Sequence, residues 1–590
     1  MSKSVLQTLS AHLGAAFVAM DLPAQYGRVT ESDKSAPFQC NGALAAAKLA
    51  KKSPRDIATF IVEEISGNTD IALAEIAGPG FINLTPSDAL LKSRVDDLYE
   101  DARVGARDAD TLGKIVVDFG GANVAKPMHV GHLRSAVIGE SLKRLLRFRG
   151  HTVIGDVHLG DWGLQMGHLI SELQEEQPDL IYFDADIKNG YPEDSPVTMA
   201  DMSRLYPQAS AKSKNDPERL KKSQVATAEL QSGRAGYRAL LDHFIRVSIE
   251  YLKKGYGELG VEYDLWKGEA SVDPLIPGMI KAMQEQGITE ESDGALIIPV
   301  DDNYDMEERK GIPPVMLRAR TGAVLYHTTD LATLLDRKNE IDPDLILYVV
   351  DQRQATHFEQ VFRAAAKAGW YAREQLEHLG FGTVNGKDGK PFTTRAGGVL
   401  KLADLTEMMR VAAAERLEKS GIGQDFDADE RADIANKVGM AALKFADLQN
   451  QRTTNYVFDV ERFVSFEGKT GPYLLYASVR IKSLLRKAEK AGVEQGEIIP
   501  THKAEQRLVL TLDSFNRALA AAEAKRMPHI LCDHVYTLAQ AFSKFYADCP
   551  VLAGDVADDV KSSRLALAAL TLKQLEIGLN LLGIETPERM

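Results

Sequence analysis

The stretch Lys114-Ile-Val-Val-Asp-Phe-Gly-Gly-Ala-Asn-Val-Ala-Lys-Pro-Met-His-Val-Gly-His132 limits what this chain can fold into more than any other part of it. Lys114 to Phe119 is a short, β-branched apolar run, the pattern of a buried strand. Gly120-Gly121 breaks it, and an apolar period of helical type follows from Leu133 to Phe148. Strand, glycine turn and helix start bring free backbone N–H groups and the positive end of a helix dipole together, which suits a phosphate. The spacing is not the dinucleotide fingerprint, and it lacks the ending of a P-loop. Instead His129-Val130-Gly131-His132 sets two imidazoles around a glycine. Gly131 lets a nucleotide lie close to the backbone, and each ring can donate a hydrogen bond to phosphate oxygens. Alone, so short a pattern also fits an ordinary helix start with satisfied histidines.

The neighbouring segments extend it to an α/β core. His151 to His158 reads as a second strand, with Gly160-Asp-Trp-Gly163 at its carboxyl end, where open parallel sheets bind ligands. Leu345 to Val350 is a further strand. Gln177 to Arg219 is polar and proline-punctuated, an insertion capped by long helices through Leu252, with a loop as the alternative for 209–216. Before the core, helices over Val5–Met20, Cys40–Lys52 and Ser53–Ile65 and a hairpin around Gly78-Pro-Gly80 make a small α+β unit. After about Asp433 the pattern is helical throughout, including single helices expected over Ala504–Ala524, Pro528–Ala547 and Lys561–Leu582. A chain of 590 residues exceeds one core and divides into three or four domains. Cys40, Cys532 and Cys549 are too scattered for a disulfide framework or a zinc site. No apolar run approaches a membrane span and no signal pattern opens the chain, so a cytoplasmic location and no membrane partner are expected. A net charge of −14 weighs mildly against nucleic acid, although local basic faces decide such contacts.

Asn123-Val-Ala-Lys-Pro-Met-His-Val-Gly-His-Leu-Arg-Ser135, followed by Gly160-Asp-Trp-Gly163, closely resembles the class I aminoacyl-tRNA synthetases, and within them the arginyl-tRNA synthetases. The resemblance implies a Rossmann-type parallel-sheet catalytic domain at 112–405, carrying the insertion near 177–252. It also implies a tRNA-contacting N-terminal domain at 1–86, a helical stem at 406–454 and an all-helical anticodon-binding domain at 455–590, ending in Pro587-Glu-Arg-Met590. It assigns Lys126, His129, Gly131 and His132 to catalysis, and the same two histidines and glycine with His357 to ATP. Gly382 to Lys401, with five glycines and four cations, corresponds to the second signature loop, K-M-S-K-S, over the ATP phosphates. This chain departs from that form at Thr393-Thr394-Arg395; Lys387, Lys390 and Arg395 are its candidate cations, and Lys126 is the family's substitute for the second lysine.

For the substrate, a planar cation calls for carboxylates in fork geometry. The resemblance matches Glu269, Tyr326 and Asp330 to guanidinium contacts, and Asn123 and Gln354 to the α-amino end. Tyr326 and Asp330 lie four apart and share a helical face. The implied reaction joins L-arginine to tRNA(Arg) at the cost of ATP, with Mg2+ accompanying ATP, no dedicated protein metal site, and a monomer as the expected state. Family members often need bound tRNA even for the first step. Three rivals remain: a synthetase for another amino acid, disfavoured by the paired acids; a small-molecule nucleotidyltransferase, which has no use for the helical C-terminal half; and an inactive tRNA-binding scaffold, disfavoured by retention of both histidines and Lys126.

Overall fold

The computed structural model describes residues 3–32, 36–303, 310–320, 322–390, 392 and 400–590. Its core begins with β1 (Lys114–Phe119), α1 (Val130–Phe148), β2 (Thr152–Asp156) and α2 (Leu164–Glu176). The insertion follows as α3 (Met199–Asn215), α4 (Pro217–Gln231) and α5 (Ala235–Glu258), so 209–215 is helical, not loop. Then come α6 (Tyr326–Glu340), β3 (Leu345–Val349), α7 (Ala355–Lys367) and β4 (Leu376–His378). The four strands form one parallel sheet in the order β4-β3-β1-β2. Val116 and Val117 point to opposite faces and both are fully buried, as a sheet covered by helices on both sides requires.

The chain builds outward from β1 to β2, then returns to the other side of β1 at β3. Strand order therefore reverses between β1 and β3, and the crevice beyond their carboxyl ends is the ligand position of such a sheet. The two segments that leave those strands are the histidine signature and Asp351–Gln354. A buried ion cluster fixes the same edge. Arg337 of α6 bonds Asp118 at 2.5 Å and Asp156 at 2.6 Å, the ends of β1 and β2, and donates to the Tyr348 hydroxyl at 3.0 Å. It locks the helix that starts with Tyr326 onto the sheet, since breaking a buried pair leaves a charge unpaired at a cost of about 3–5 kcal/mol.

At the N-terminal end, strands Val29–Glu31, Phe38–Cys40, Phe81–Pro86 and Ile71–Ala77 form an antiparallel sheet in that spatial order, with helices Val5–Val18, Gly42–Ala50 and Pro54–Glu64 packed beside it. The first two strands are three residues each, too short for a periodicity to register. The stem is α8 (Leu402–Lys419) and α9 (Ala428–Leu448), and the helical domain opens with α10 (Gly471–Lys490). The span expected as one helix over Ala504–Ala524 is two, Lys503–Asp513 and Phe515–Lys525. The break falls where the Asp513 carboxylate accepts from Val5 N at 2.8 Å and Arg94 Nε at 2.5 Å, joining the N-terminal domain to the helical one. No helix of the described residues is long and apolar enough to cross a membrane.

Candidate active site

The histidine signature is organised by its own backbone. α1 starts at Val130, three residues before the apolar period begins, because His129 caps it: the Nδ1 of His129 accepts from Gly131 N at 3.1 Å. The His132 Nδ1 in turn accepts from His129 N at 3.0 Å. A Cβ at Gly131 would lie 2.8 Å from the His129 ring, so a side chain there would displace that ring. The rings sit 4.0 Å apart, and burial, followed by the neighbouring His129, pushes His132 down to about 3. Burial and then Lys126 lower His129 as well. Both imidazoles are therefore neutral near pH 7. With each Nδ1 accepting, the single ring proton falls on Nε2, so the pair presents two N–H donors rather than two cations. The cation of the cluster is Lys126.

The turn that carries Lys126 is tied on three sides. Val124 N donates to Gly160 O at 3.0 Å, Ala125 N to the buried Ser248 Oγ at 2.9 Å, and Gln165 Nε2 to Val124 O. Asn123 thereby pairs with Gly160 in a parallel bridge. On its other flank the signature pairs with the end of the second loop: Val130 N donates to Leu400 O at 3.0 Å and Leu402 N to Met128 O at 2.9 Å.

The opposite wall is acidic. Glu269 begins a short helix next to Gly160-Asp-Trp-Gly163, and the two segments brace each other. Asp161 Oδ1 accepts from Ala270 N at 2.7 Å, while Glu269 N donates to Leu159 O at 3.1 Å. Burial, then Asp330 and Asp161, raise Glu269 to about 8; burial raises Asp161 to about 6. Asp330 lies one turn into α6 and meets His357 Nε2 at 2.5 Å. His357 also packs 5.2 Å from the Tyr326 ring and 4.5 Å from His327, which is stacked on Tyr326. Tyr326 is 62% exposed at the mouth. Three carboxyls thus converge, and no Lys or Arg of the described residues pairs with Glu269.

Comparison with known proteins agrees across the chain. Residues 3–85, 95–460 and 474–590 match, in turn, the families described as arginyl tRNA synthetase N terminal domain, tRNA synthetases class I (R) catalytic domain, and DALR anticodon binding domain. The chain belongs to the arginyl-tRNA synthetases. It is 59% identical over 590 residues to the arginine–tRNA ligase of Maricaulis maris and 58% identical over 591 residues to that of Hyphomonas neptunium, covering 100% of both chains in each case. The arginyl-tRNA synthetase of Plasmodium falciparum has the same fold, with a TM-score of 0.80 at 22% identity and coverage of 100% and 99%. That of Thermus thermophilus gives 0.77 at 22%, with coverage of 99% and 100%.

In this synthetase the remaining sequence-derived candidates are spread more widely. Gln354 is exposed where α7 begins, just beyond β3. Lys387 reaches Asp459 at 3.4 Å, towards the stem, and Lys390 closes a tight turn through its carbonyl to Gly386 N at 2.7 Å. Arg395 lies outside the described residues. His357, expected beside the nucleotide, stands on Asp330 in the acidic wall. Sequence reading gave no role to Asp161, which braces Glu269, or to Arg134. The latter is 1% exposed and joins α1 to the stem, bonding Asp447 at 3.1 Å and Thr454 O at 2.9 Å. The signal for Asp161 was its place in the Gly160–Gly163 motif. Arg134 stands inside the first signature, but nothing there points to its partner, which lies 313 positions away.

Proposed function

We propose the following division of labour for the reaction of this family, which activates arginine with ATP and transfers it to tRNA(Arg). A carboxylate oxygen of arginine attacks the α-phosphorus, the bond to the bridging oxygen breaks, and pyrophosphate leaves. The ribose hydroxyl at the tRNA 3′ end then attacks the carbonyl of the adenylate and AMP leaves. Glu269 and Asp330 hold the guanidinium with Tyr326 over it, while Asn123 and Gln354 meet the α-amino end. His129 and His132 donate from Nε2 to phosphate oxygens as charge grows there, and Lys126 supplies the cation. Gly131 keeps that approach open. Lys387, Lys390 and Arg395 are the loop cations of the same reading. Mg2+ in this reading comes with the ATP phosphates.

One observation carries the assignment of the amino-acid side: a half-buried carboxyl, Glu269, held near two others without a cation of its own among the described residues. Such an arrangement is costly unless a cationic ligand completes it. The N-terminal unit and the helical domain would hold the tRNA. On α10, Lys482 is taken up by Glu576 at 2.9 Å and Glu588 at 2.8 Å, and Arg480 lies over the Tyr546 ring at 4.9 Å. The exposed cations of that helix are Arg486, Lys487 and Lys490. A monomeric, cytoplasmic enzyme completes the reading, in keeping with three buried cysteines, all free. The test is ATP–pyrophosphate exchange, with and without tRNA, driven by arginine or by its neutral isostere citrulline. Exchange with arginine alone is expected; equal rates with citrulline would remove the acidic pocket from the reading.

A further inference from the structure

We propose that Tyr206, on insertion helix α3, is a positioning residue that holds the Lys126 ammonium in place for adenylate formation. The inference rests on the role of Lys126 given above and extends it to the 177–252 insertion, which that reading leaves without a part in the chemistry.

The Nζ of Lys126 lies 4.6 Å from the centroid of the Tyr206 ring. Among the described residues no carboxylate pairs with it, so the ring face is the contact that defines where the ammonium sits. A lysine serving a phosphate has a physical difficulty. Its four-carbon stem is flexible, and an acidic partner would fix it only by cancelling the charge that the transition state needs. An aromatic face avoids this: it attracts the cation through its quadrupole and leaves the remaining N–H donors free to turn to phosphate.

Tyr206 is itself well anchored. Thr198 and Asp201 form a capping box at the start of α3. Lys212 bonds Glu172 at 2.5 Å and Arg204 bonds Glu176 at 2.6 Å, both on α2, and the buried Arg219 of α4 takes the second Glu172 oxygen at 2.7 Å. The His168 ring of α2 meets Tyr206 edge-on at 6.2 Å, and burial keeps that imidazole uncharged, so no second cation competes for the ring. The insertion also fixes the backbone of the same turn, through Ser248 of α5 to Ala125 N at 2.9 Å. One element thus holds the residue preceding Lys126 and, through Tyr206, its side chain.

The test compares Tyr206→Leu, which keeps apolar volume but removes the π face, with Tyr206→Phe, which keeps the face. Each is made in wild type and in Lys126→Met, and single-turnover adenylate formation is measured with saturating arginine and tRNA. Y206L should slow adenylate formation about 3- to 30-fold, the rate equivalent of a cation–π contact, with arginine KM and Tm little changed. Y206F should restore most of the rate. In the Lys126→Met background Y206L should add almost nothing, an interaction that a merely structural role would not produce. If K126M forms adenylate normally, the reading of Lys126 falls and this proposal with it. If K126M is slow but Y206L is normal, Y206F is as slow as Y206L, or the two losses multiply independently, Lys126 stands and the role of Tyr206 is overturned.

Discussion

The two walls of the site solve opposite problems. On the phosphate side the histidines are preset: His129 and His132 each accept a backbone N–H at Nδ1, which leaves Nε2–H as the donor of each ring. On the arginine side Glu269 and Asp161 are crowded together with Asp330 and raised by burial, a state that improves only when a cation arrives. The first wall is preorganised, so its contribution belongs to the transition state. The second is strained in the empty protein, so its contribution belongs to binding. Substitutions in the two walls should therefore separate cleanly into different kinetic constants.

The largest effect is expected at Asp330. Asp330→Asn removes one charged arm from the guanidinium and unsettles His357, which bonds it at 2.5 Å. A loss of about 2–5 kcal/mol in arginine kcat/KM should follow, with ATP binding nearly intact, because the partner charge stays desolvated. Unchanged arginine kinetics in this variant would dissolve the contrast. Next comes the phosphate wall. His132→Ala should slow adenylate formation about 10²- to 10³-fold, the cost of one donor at a developing charge, and leave arginine affinity alone. Pre-steady-state measurement of adenylate decides it; a variant defective in arginine binding instead would merge the two walls into one unit.

The contrast also bears on how far the sequence could be read. The phosphate wall is local: Asn123 to His132 is one stretch, its glycine and histidines are consecutive, and strand, turn and helix follow from periodicity. The fold class was legible for the same reason. The acidic wall is assembled from Asp161, Glu269 and Asp330 on separate segments, and each alone looks like a solvated acid or a cap. Family likeness picked out Glu269 and Asp330, but Asp161 became visible only once Ala270 N was seen on its carboxylate. Buried charges were the least legible. Arg337 bonds Asp156 from 181 positions away and Arg134 bonds Asp447 from 313, and no local pattern marks a cation that will find its partner so far off. Lys482 of α10 is a related case, since Glu576 and Glu588, which pair with it, come from near the end of the chain.

A stability measurement sharpens the idea of stored strain. Glu269 is raised to about 8 in the folded chain, above its ordinary value of 4.5. Between those values the unfolded chain has released the proton and the folded one keeps it, so this group makes stability fall as pH rises through that window and level off above pH 8. Glu269→Gln cannot titrate. The variant should match wild type near pH 5, gain progressively, and be more stable by about 1–3 kcal/mol at pH 8, while its arginine activation collapses. Denaturant melts at a series of pH values give the curve. A variant less stable than wild type at pH 8 would mean that the carboxylate is satisfied by the protein itself.

The smallest expected effect follows from the same group in the binding direction. Arginine needs Glu269 ionised, yet with burial, Asp330 and Asp161 raising it to about 8, the empty pocket holds a proton at neutral pH. Binding must expel it. Arginine affinity should therefore climb with pH below 8, by at most about tenfold per unit, or about 1.4 kcal/mol, and flatten above. Asp161, raised to about 6, adds curvature at the acid end. His132 contributes nothing in this range, since it is already neutral down to about 3. Calorimetric titration at pH 7 in buffers of different ionisation heat should show close to one proton released per arginine bound. Glu269→Gln should abolish that release even where residual binding persists, whereas His132→Ala should leave it untouched. Proton release that survives Glu269→Gln would place the titrating group elsewhere, and release lost in His132→Ala would show that the two walls share their protons after all.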